Sequence, residues 1–389
     1  MTQSQAIAFH GSPVTWFGGN AVSEIIAHGS FEGNCLVVTD SNVSKTQHFM
    51  EFSHNLPKVL QSKIRIEFAI LEPREPSSQA LHNHLASFSD LDIANYIGYG
   101  GGSIMDSAKV FRAVKDSGYS LKELLNDPSK IKKKSGLMLI PTTAGTGSEM
   151  SPVAVFEHEN EKIGLSSYGL RADMVAIEPR LSSTCPRETI EGSGIDAFAH
   201  ALESTISNKA NFFSSILSPV SLQLVYNALR RILGALAPSN ENLTNLCKGI
   251  MLSSVSYGYA GCCGIHALAY PLSGKFHIRH GQAVALLLSP VLHYYFTIQP
   301  SIASFVRPLF GGKAVVSSRT KQDSEYVIEQ VDELLSLSRT LPKKLRDLGV
   351  GMSDLPFLAK QSQKATRLLG NSPVPIGESE ALSIYVQCL

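Results

Sequence analysis

Apolar and polar positions follow two different periods along this chain, and the change falls near Pro186. The first half alternates short apolar runs with amphipathic stretches. "NCLVVTD" (residues 34–40), "KIRIEFAIL" (63–71), "DIANYIGYG" (92–100), "GLMLIP" (136–141) and "DMVAIEP" (173–179) read as strands. "SSQALHNHLASF" (77–88) and "SIMDSAKVFRAV" (103–114) between them have helical spacing. Strands alternating with helices imply βαβ units and a parallel sheet. "SPVAVFEHENEKIGLSS" (151–167) predicts a hairpin that turns over "EHENEK".

Beyond Pro186 the helical period takes over. Residues 187–207, 218–236, 241–261, 324–341 and 353–366 each carry apolar positions on one helical face, and no stretch alternates as a strand would. The most loop-like insertion is "FGGKAVVSSRTKQDS" (310–324). The expected architecture is an α/β domain over residues 1–186 followed by an all-α domain over 187–389.

Composition alters this picture little. A chain of 389 residues has room for two domains, or three, with a large core. Its hydrophobic share is 43%, its charged share 17% and its net charge +1, which gives no cue for a nucleic-acid or membrane-surface partner. The one basic run, Lys132, Lys133 and Lys134, reads as a solvated loop. Six cysteines lack the spacing of a zinc knuckle, and the adjacent Cys262 and Cys263 cannot pair without strain. Free thiols in a reducing compartment fit best. "MTQSQAIAFHGS" lacks the basic and apolar regions of a signal peptide. "AVALLLSPVLHYYF" (283–296) reads as too short and interrupted to span a bilayer. A soluble cytoplasmic protein is the expectation.

Candidate chemistry sits in four places. In "GYGGGSIMDSAK" three glycines, Gly100, Gly101 and Gly102, separate a strand from a helix. Ser103 suits an N-cap there, with Asp106 closing a capping box, and the helix start would form an anion site. The pattern is neither GxGxxG nor a P-loop. "IPTTAGTGSE" (140–149) follows another strand, and Thr142, Thr143, Thr146 and Ser148 could donate to phosphate and to a nicotinamide amide. Asp40 ends its strand as either a turn residue or an acceptor for ribose hydroxyls, which would favour NAD over NADP. Finally, Asp196 and His200 stand four apart on a predicted helix. Such a pair is often a surface or capping feature. With His266 and His280 it would make a site of three nitrogens and one oxygen, suited to Fe²⁺ or Zn²⁺.

Taken in order, "GGGSIMDSAK", "PTTAGTGSE", "GIDAFAHALES" and "HALAYPLSGKFHIRHG" resemble the iron-containing (group III) alcohol dehydrogenase family, and "NSPVPIGESEALSIYV" (371–386) resembles its tail. The resemblance implies the dehydroquinate synthase-like fold, with an α/β dinucleotide-binding domain, a helical metal-binding domain and the site between them. It implies Asp196, His200, His266 and His280 as metal ligands. It implies contacts to the cofactor from Gly101, Gly102, Ser103, Asp106, Thr142, Thr143 and Lys162, with Asp40 as the acid that accompanies NAD(H). A homodimer acting on a small alcohol or aldehyde is implied as well. One departure stands out: Tyr270 occupies the place of a histidine thought to relay protons in many members. Tyr270 either passes a proton or only shapes the pocket, and His277 is the alternative relay or an outlying residue. Tyrosine at this place is similar to branches whose substrates bear a carboxylate or phosphonate. Arg279 and Lys275 are then either anion receptors or surface charges. Two other readings stand beside the dehydrogenase: a dehydroquinate synthase-like lyase, whose first ligand is typically glutamate, and a non-catalytic relative.

Overall fold

The computed structural model describes residues 13–29, 32–59, 64–159, 161–311 and 320–389. Its first part is β1 (Val14–Phe17), α1 (Ala21–His28), β2 (Asn34–Asp40), α2 (Gln47–Val59), β3 (Ile66–Leu71), α3 (Ser78–Ala86), β4 (Ile93–Gly100), α4 (Gly102–Ser117), α5 (Leu121–Asn126), β5 (Gly136–Pro141), β6 (Val153–His158), β7 (Glu161–Ser166) and β8 (Met174–Ile177). The second is α6 (Arg187–Ile206), α7 (Phe212–Gly234), α8 (Asn240–Ala260), α9 (Gly264–Phe276), α10 (His280–Ile298), α11 (Ser301–Val306), α12 (Thr320–Ser336), α13 (Leu355–Ser362), α14 (Thr366–Leu369) and α15 (Glu378–Cys388).

Six strands form one parallel sheet in the order β1-β8-β5-β4-β2-β3. Strand side chains alternate between faces, and here both faces are covered. Leu36, Val38, Leu137 and Leu139 join a core continuous with the helical domain. Their neighbours Cys35, Val37, Met138 and Ile140 pack beneath α1 and α2. The chain reverses direction across the sheet between β2 and β4, which opens a crevice at their carboxyl ends. Asp40 and Gly100 end those two strands.

The sequence reading needs several corrections. It missed β1, a four-residue edge strand beside β8. Within "EHENEK", Glu157 and His158 belong to β6 while Glu161 and Lys162 belong to β7, so the turn is tighter than expected. Of the loop-like insertion, residues 312–319 lie outside the described residues, but Thr320–Ser336 is already helix α12. The signal-peptide reading also falls outside, on residues 1–12. The apolar run 283–296 continues at both ends into the 19 residues of α10, and α7 has 23. Both helices are therefore long and apolar enough to cross a membrane. Here both pack within the helical domain, α7 against α6 and α8, and α10 against α6 and α9. All six cysteines are free thiols, as expected.

Candidate active site

A cleft of about 1240 Å³ runs between the sheet's carboxyl edge and the helical domain. Asp40, Gly101, Gly102, Ser103, Asp106, Thr142, Thr143, Thr146, Ser148, Lys162, Asp196, His200, His266, Tyr270, His277 and His280 all line it. Residues picked from six separate stretches of sequence are thus brought to one place.

The α/β wall is built by two loops held close together. A Cβ on Gly102 would stand 2.8 Å from the Thr146 side chain, and one on Gly101 would stand 3.3 Å from Thr143. Glycine at these positions lets the loops approach each other. Helix α4 starts at Gly102 with Gly101 as N-cap, so Ser103 lies inside the first turn and the expected capping box is not formed. Asp106 is engaged elsewhere. Its Oδ1 accepts from Lys109 Nζ at 3.2 Å and from the Ser148 hydroxyl, and its Oδ2 accepts from the Val155 amide at 2.9 Å. Lys109 also donates to Ser148 Oγ at 2.7 Å. Asp106 and Ser148 therefore brace the loop against β6 instead of presenting free groups. Thr143 Oγ1, by contrast, is buried with no hydrogen-bond partner among the described residues. Asp40 does cap a turn, since its Oδ1 accepts from the Asn42 and Val43 amides at 2.8 and 2.9 Å. It still faces the cleft. Lys162 is paired with Glu75 at 2.9 Å.

The helical wall carries the histidines. Asp196, His200 and Glu203 share one face of α6 at i, i+4 and i+7. His266 lies in the first turn of α9, and His280 is the first residue of α10. One close backbone approach brings α6 and α10 together: a Cβ on Gly281 would meet the Gly192 carbonyl oxygen at 2.3 Å. As a result Asp196 Oδ1 lies 3.3 Å from His266 Nε2 and 3.4 Å from His280 Nε2. Bonds of about 2.0–2.2 Å at a tetrahedral angle put donor atoms about 3.4 Å apart.

The atoms left without partners test whether this set suits a cation. Asp196 Oδ1, His200 Nδ1 and His266 Nε2 are buried with no hydrogen bond among the described residues. Each such group costs about 1–3 kcal/mol when it stays unsatisfied, and a divalent ion would offset that cost. Glu203 supplies the outer support. Its Oε2 accepts from His266 Nδ1 at 2.6 Å and from the Cys263 amide at 2.9 Å, and its Oε1 accepts from the Ile265 amide at 2.7 Å. That bond fixes the ring so that Nε2 faces the cluster.

Electrostatics sort the four side chains. Burial alone would raise the Asp196 carboxyl, but His200, His280 and His266 hold it well below the usual carboxylate range. Burial pushes His200 down to about 4 against the pull of Asp196. Burial and the Lys162 charge push His280 well down. Burial also works against a proton on His266, yet the carboxylates of Glu203 and Asp196 carry it up to about 9. Two rings are thus neutral and the third keeps a proton. Tyr270 sits with its ring 6.3 Å from that of His280. Burial raises its phenol above the ordinary value, with Arg367 opposing, so the hydroxyl stays protonated. His277 caps α9 in the left-handed region at φ 52° and is exposed at the cleft rim.

Several contributors went unseen in the sequence. Glu203 was readable, because it continues the Asp196–His200 face. Tyr257 stacks on His200 at 4.4 Å and donates to the Thr146 carbonyl at 3.0 Å, tying the two walls together. Cys262 and Arg367 also line the cleft. Arg279 and Lys275 do not serve as free cations: they pair with Glu188 at 2.6 Å and Asp354 at 2.8 Å.

A glycine loop at a parallel-sheet crevice facing a buried aspartate–histidine cluster defines a class of enzyme that joins a dinucleotide to a metal. Residues 12–179 match the family described as iron-containing alcohol dehydrogenase, and residues 190–389 match the C-terminal domain of that family. The chain belongs to the iron-containing alcohol dehydrogenase family, and it is an oxidoreductase acting on CH–OH groups. It is 33% identical over 295 residues to long-chain-alcohol dehydrogenase 1 of Geobacillus thermodenitrificans, covering 74% of this chain and 73% of the relative. It is 27% identical over 319 residues to a 4-hydroxybutyrate dehydrogenase of Clostridium kluyveri, covering 80% of this chain and 83% of the relative. The solved alcohol dehydrogenase of Oenococcus oeni has the same fold, with a TM-score of 0.89 and 21% identity over 97% of this chain and 99% of that one.

Proposed function

We propose that this chain is a metal-dependent, NAD(H)-linked dehydrogenase that interconverts a small alcohol bearing an anionic tail and its aldehyde. The observation that carries the reading is the set of buried donor atoms without a hydrogen bond among the described residues, Asp196 Oδ1, His200 Nδ1 and His266 Nε2, facing the Gly101–Gly102 loop across one cleft. Asp196, His200, His266 and His280 would hold Fe²⁺ or Zn²⁺, which supplies Lewis-acid polarisation of the substrate oxygen. NAD(H) supplies the hydride chemistry.

The chain's own groups do the rest. Glu203 keeps the His266 ring oriented. The α4 start and the unpartnered Thr143 hydroxyl face the space for a dinucleotide, and Asp40 places a carboxylate where a ribose would lie. Tyr270 keeps its phenolic proton beside His280 and can pass it on through hydrogen bonds along the cleft. Arg367 supports the anionic tail. It lines the cleft, its charge acts on both Tyr270 and Cys262, and it has no ion-pair partner among the described residues. The relative named for 4-hydroxybutyrate agrees with that charge. The proposal includes a cytoplasmic homodimer.

The test is metal analysis joined to an NADH-oxidation screen of neutral aldehydes, carboxylate semialdehydes and phosphonoacetaldehyde. Turnover should vanish in His266→Ala. Arg367→Gln should raise KM for anionic substrates about 10–100-fold, in line with a charged hydrogen bond of about 1.5–3 kcal/mol, and leave neutral ones unchanged. A metal-loaded protein that oxidises no NADH on this panel would sink the reading.

A further inference from the structure

One thiol in the cleft has no role so far. Cys262 lies in the turn between α8 and α9, is 8% exposed and lines the cleft. Its Sγ and ring nitrogens of His200 and His266 lie within 4.8 Å of one another. His200 Nδ1, His266 Nε2 and His280 Nδ1 are buried ring nitrogens without hydrogen bonds among the described residues. Two donor triads therefore share His266: Asp196, His266 and His280 form one, and His200, Cys262 and His266 form the other.

The neighbouring cysteine shows the contrast. Cys263 Sγ donates to the carbonyls of Glu203 at 3.6 Å and Asn371 at 3.4 Å, so its thiol is engaged away from the cluster. The backbone at Cys262 is pinned, its carbonyl accepting from Asn371 Nδ2 at 3.0 Å. Its thiol has no hydrogen-bond partner among the described residues and lies beside the donor cluster.

We propose that Cys262 is a fifth protein donor to the metal of this cleft in the resting enzyme. The proposal rests on the metal reading above. The thiol binds as thiolate, and its proton leaves to solvent through the open cleft. A thiolate is a soft donor, so it tilts the site towards Zn²⁺ relative to a site of nitrogen and oxygen alone.

Cobalt is the probe. The metal-free full chain is loaded with Co²⁺ without substrate, its cobalt content is measured, and its absorption spectrum is recorded. A bound thiolate gives a near-ultraviolet sulfur-to-cobalt charge-transfer band that nitrogen and oxygen ligands do not. The band should appear in the parent and in Cys263→Ala, and it should be lost in Cys262→Ser at unchanged cobalt content. X-ray absorption of the zinc-loaded parent should show a sulfur shell at about 2.3 Å, a readout that needs no variant. Cobalt bound without the band, or a band that survives in Cys262→Ser, overturns the sulfur donor and leaves the metal site standing. Absence of cobalt binding in the parent overturns both.

Discussion

Gly281→Ala tests how the helical wall is assembled. Gly281 is helical, with no positive φ to explain it, so the glycine answers to space. An added Cβ would stand 2.3 Å from the Gly192 carbonyl oxygen and 2.5 Å from its carbon. A relaxed carbon-to-oxygen contact is about 3.3 Å, so α10 must move from α6 by about 1 Å. His280 moves with it, whereas metal–donor distances tolerate about 0.2 Å. Disturbing an outer support of a metal site costs about 10–100-fold in affinity. Displacing a donor itself should reach the upper end, about 100-fold, with about 1–3 kcal/mol of overpacking in addition. Gly192→Ala is the matched control. Its Cβ would lie 3.8 Å from the Gly281 Cα, an ordinary contact. Alanine should be harmless there, or stabilise the helix by up to about 1 kcal/mol. Zinc titration of metal-free protein by calorimetry, with thermal unfolding of each variant, reads both effects. Parent-like zinc affinity in Gly281→Ala, or equal damage from Gly192→Ala, would refute the argument.

Other predictions follow from the same geometry. Glu203→Gln keeps the side chain's shape but removes the charge behind His266, so zinc affinity should fall about 10–100-fold; calorimetry giving no change would remove Glu203 from the site's support. Because His266 is carried up to about 9 in the metal-free chain, metal must displace its proton. Zinc affinity should rise about tenfold per pH unit below about 9 and then level off, and titrations in buffers of different protonation heat would count that proton. The sign for folding is opposite: the raised pKa makes the His266 contribution complete below about 6.5 and lost as pH climbs through about 9. Thermal midpoints of metal-free protein should fall over that window. Asp40→Asn keeps an acceptor for the Asn42 and Val43 amides and removes the carboxylate charge, so the NADP-to-NAD ratio of kcat/KM should rise; an unchanged ratio would place Asp40 outside the ribose site.

Much of the donor set was legible because it is local. A helix puts residues four apart on one face whatever surrounds it, so Asp196 and His200 could be paired from sequence. The shift from strand period to helical period near Pro186 marked the two architectures for the same reason. The capping box at Ser103 failed because α4 begins at Gly102 with Gly101 as its N-cap, two residues earlier than the motif suggests. The ion pairs of Arg279 and Lys275 were not legible, because their partners, Glu188 and Asp354, are 91 and 79 positions away in sequence.

Sequence by itself determined the elements, the glycine loop and the residue types able to hold a metal, since these depend on periods and spacings of a few residues. Tertiary structure alone decided which atoms remain unsatisfied. Glu203 accepts a hydrogen bond from His266 Nδ1, Asp106 and Ser148 satisfy each other, and Gly281 lets His280 reach Asp196. A buried polar atom's partner is set by packing between distant segments, and what packing leaves unpaired is where a ligand can bind.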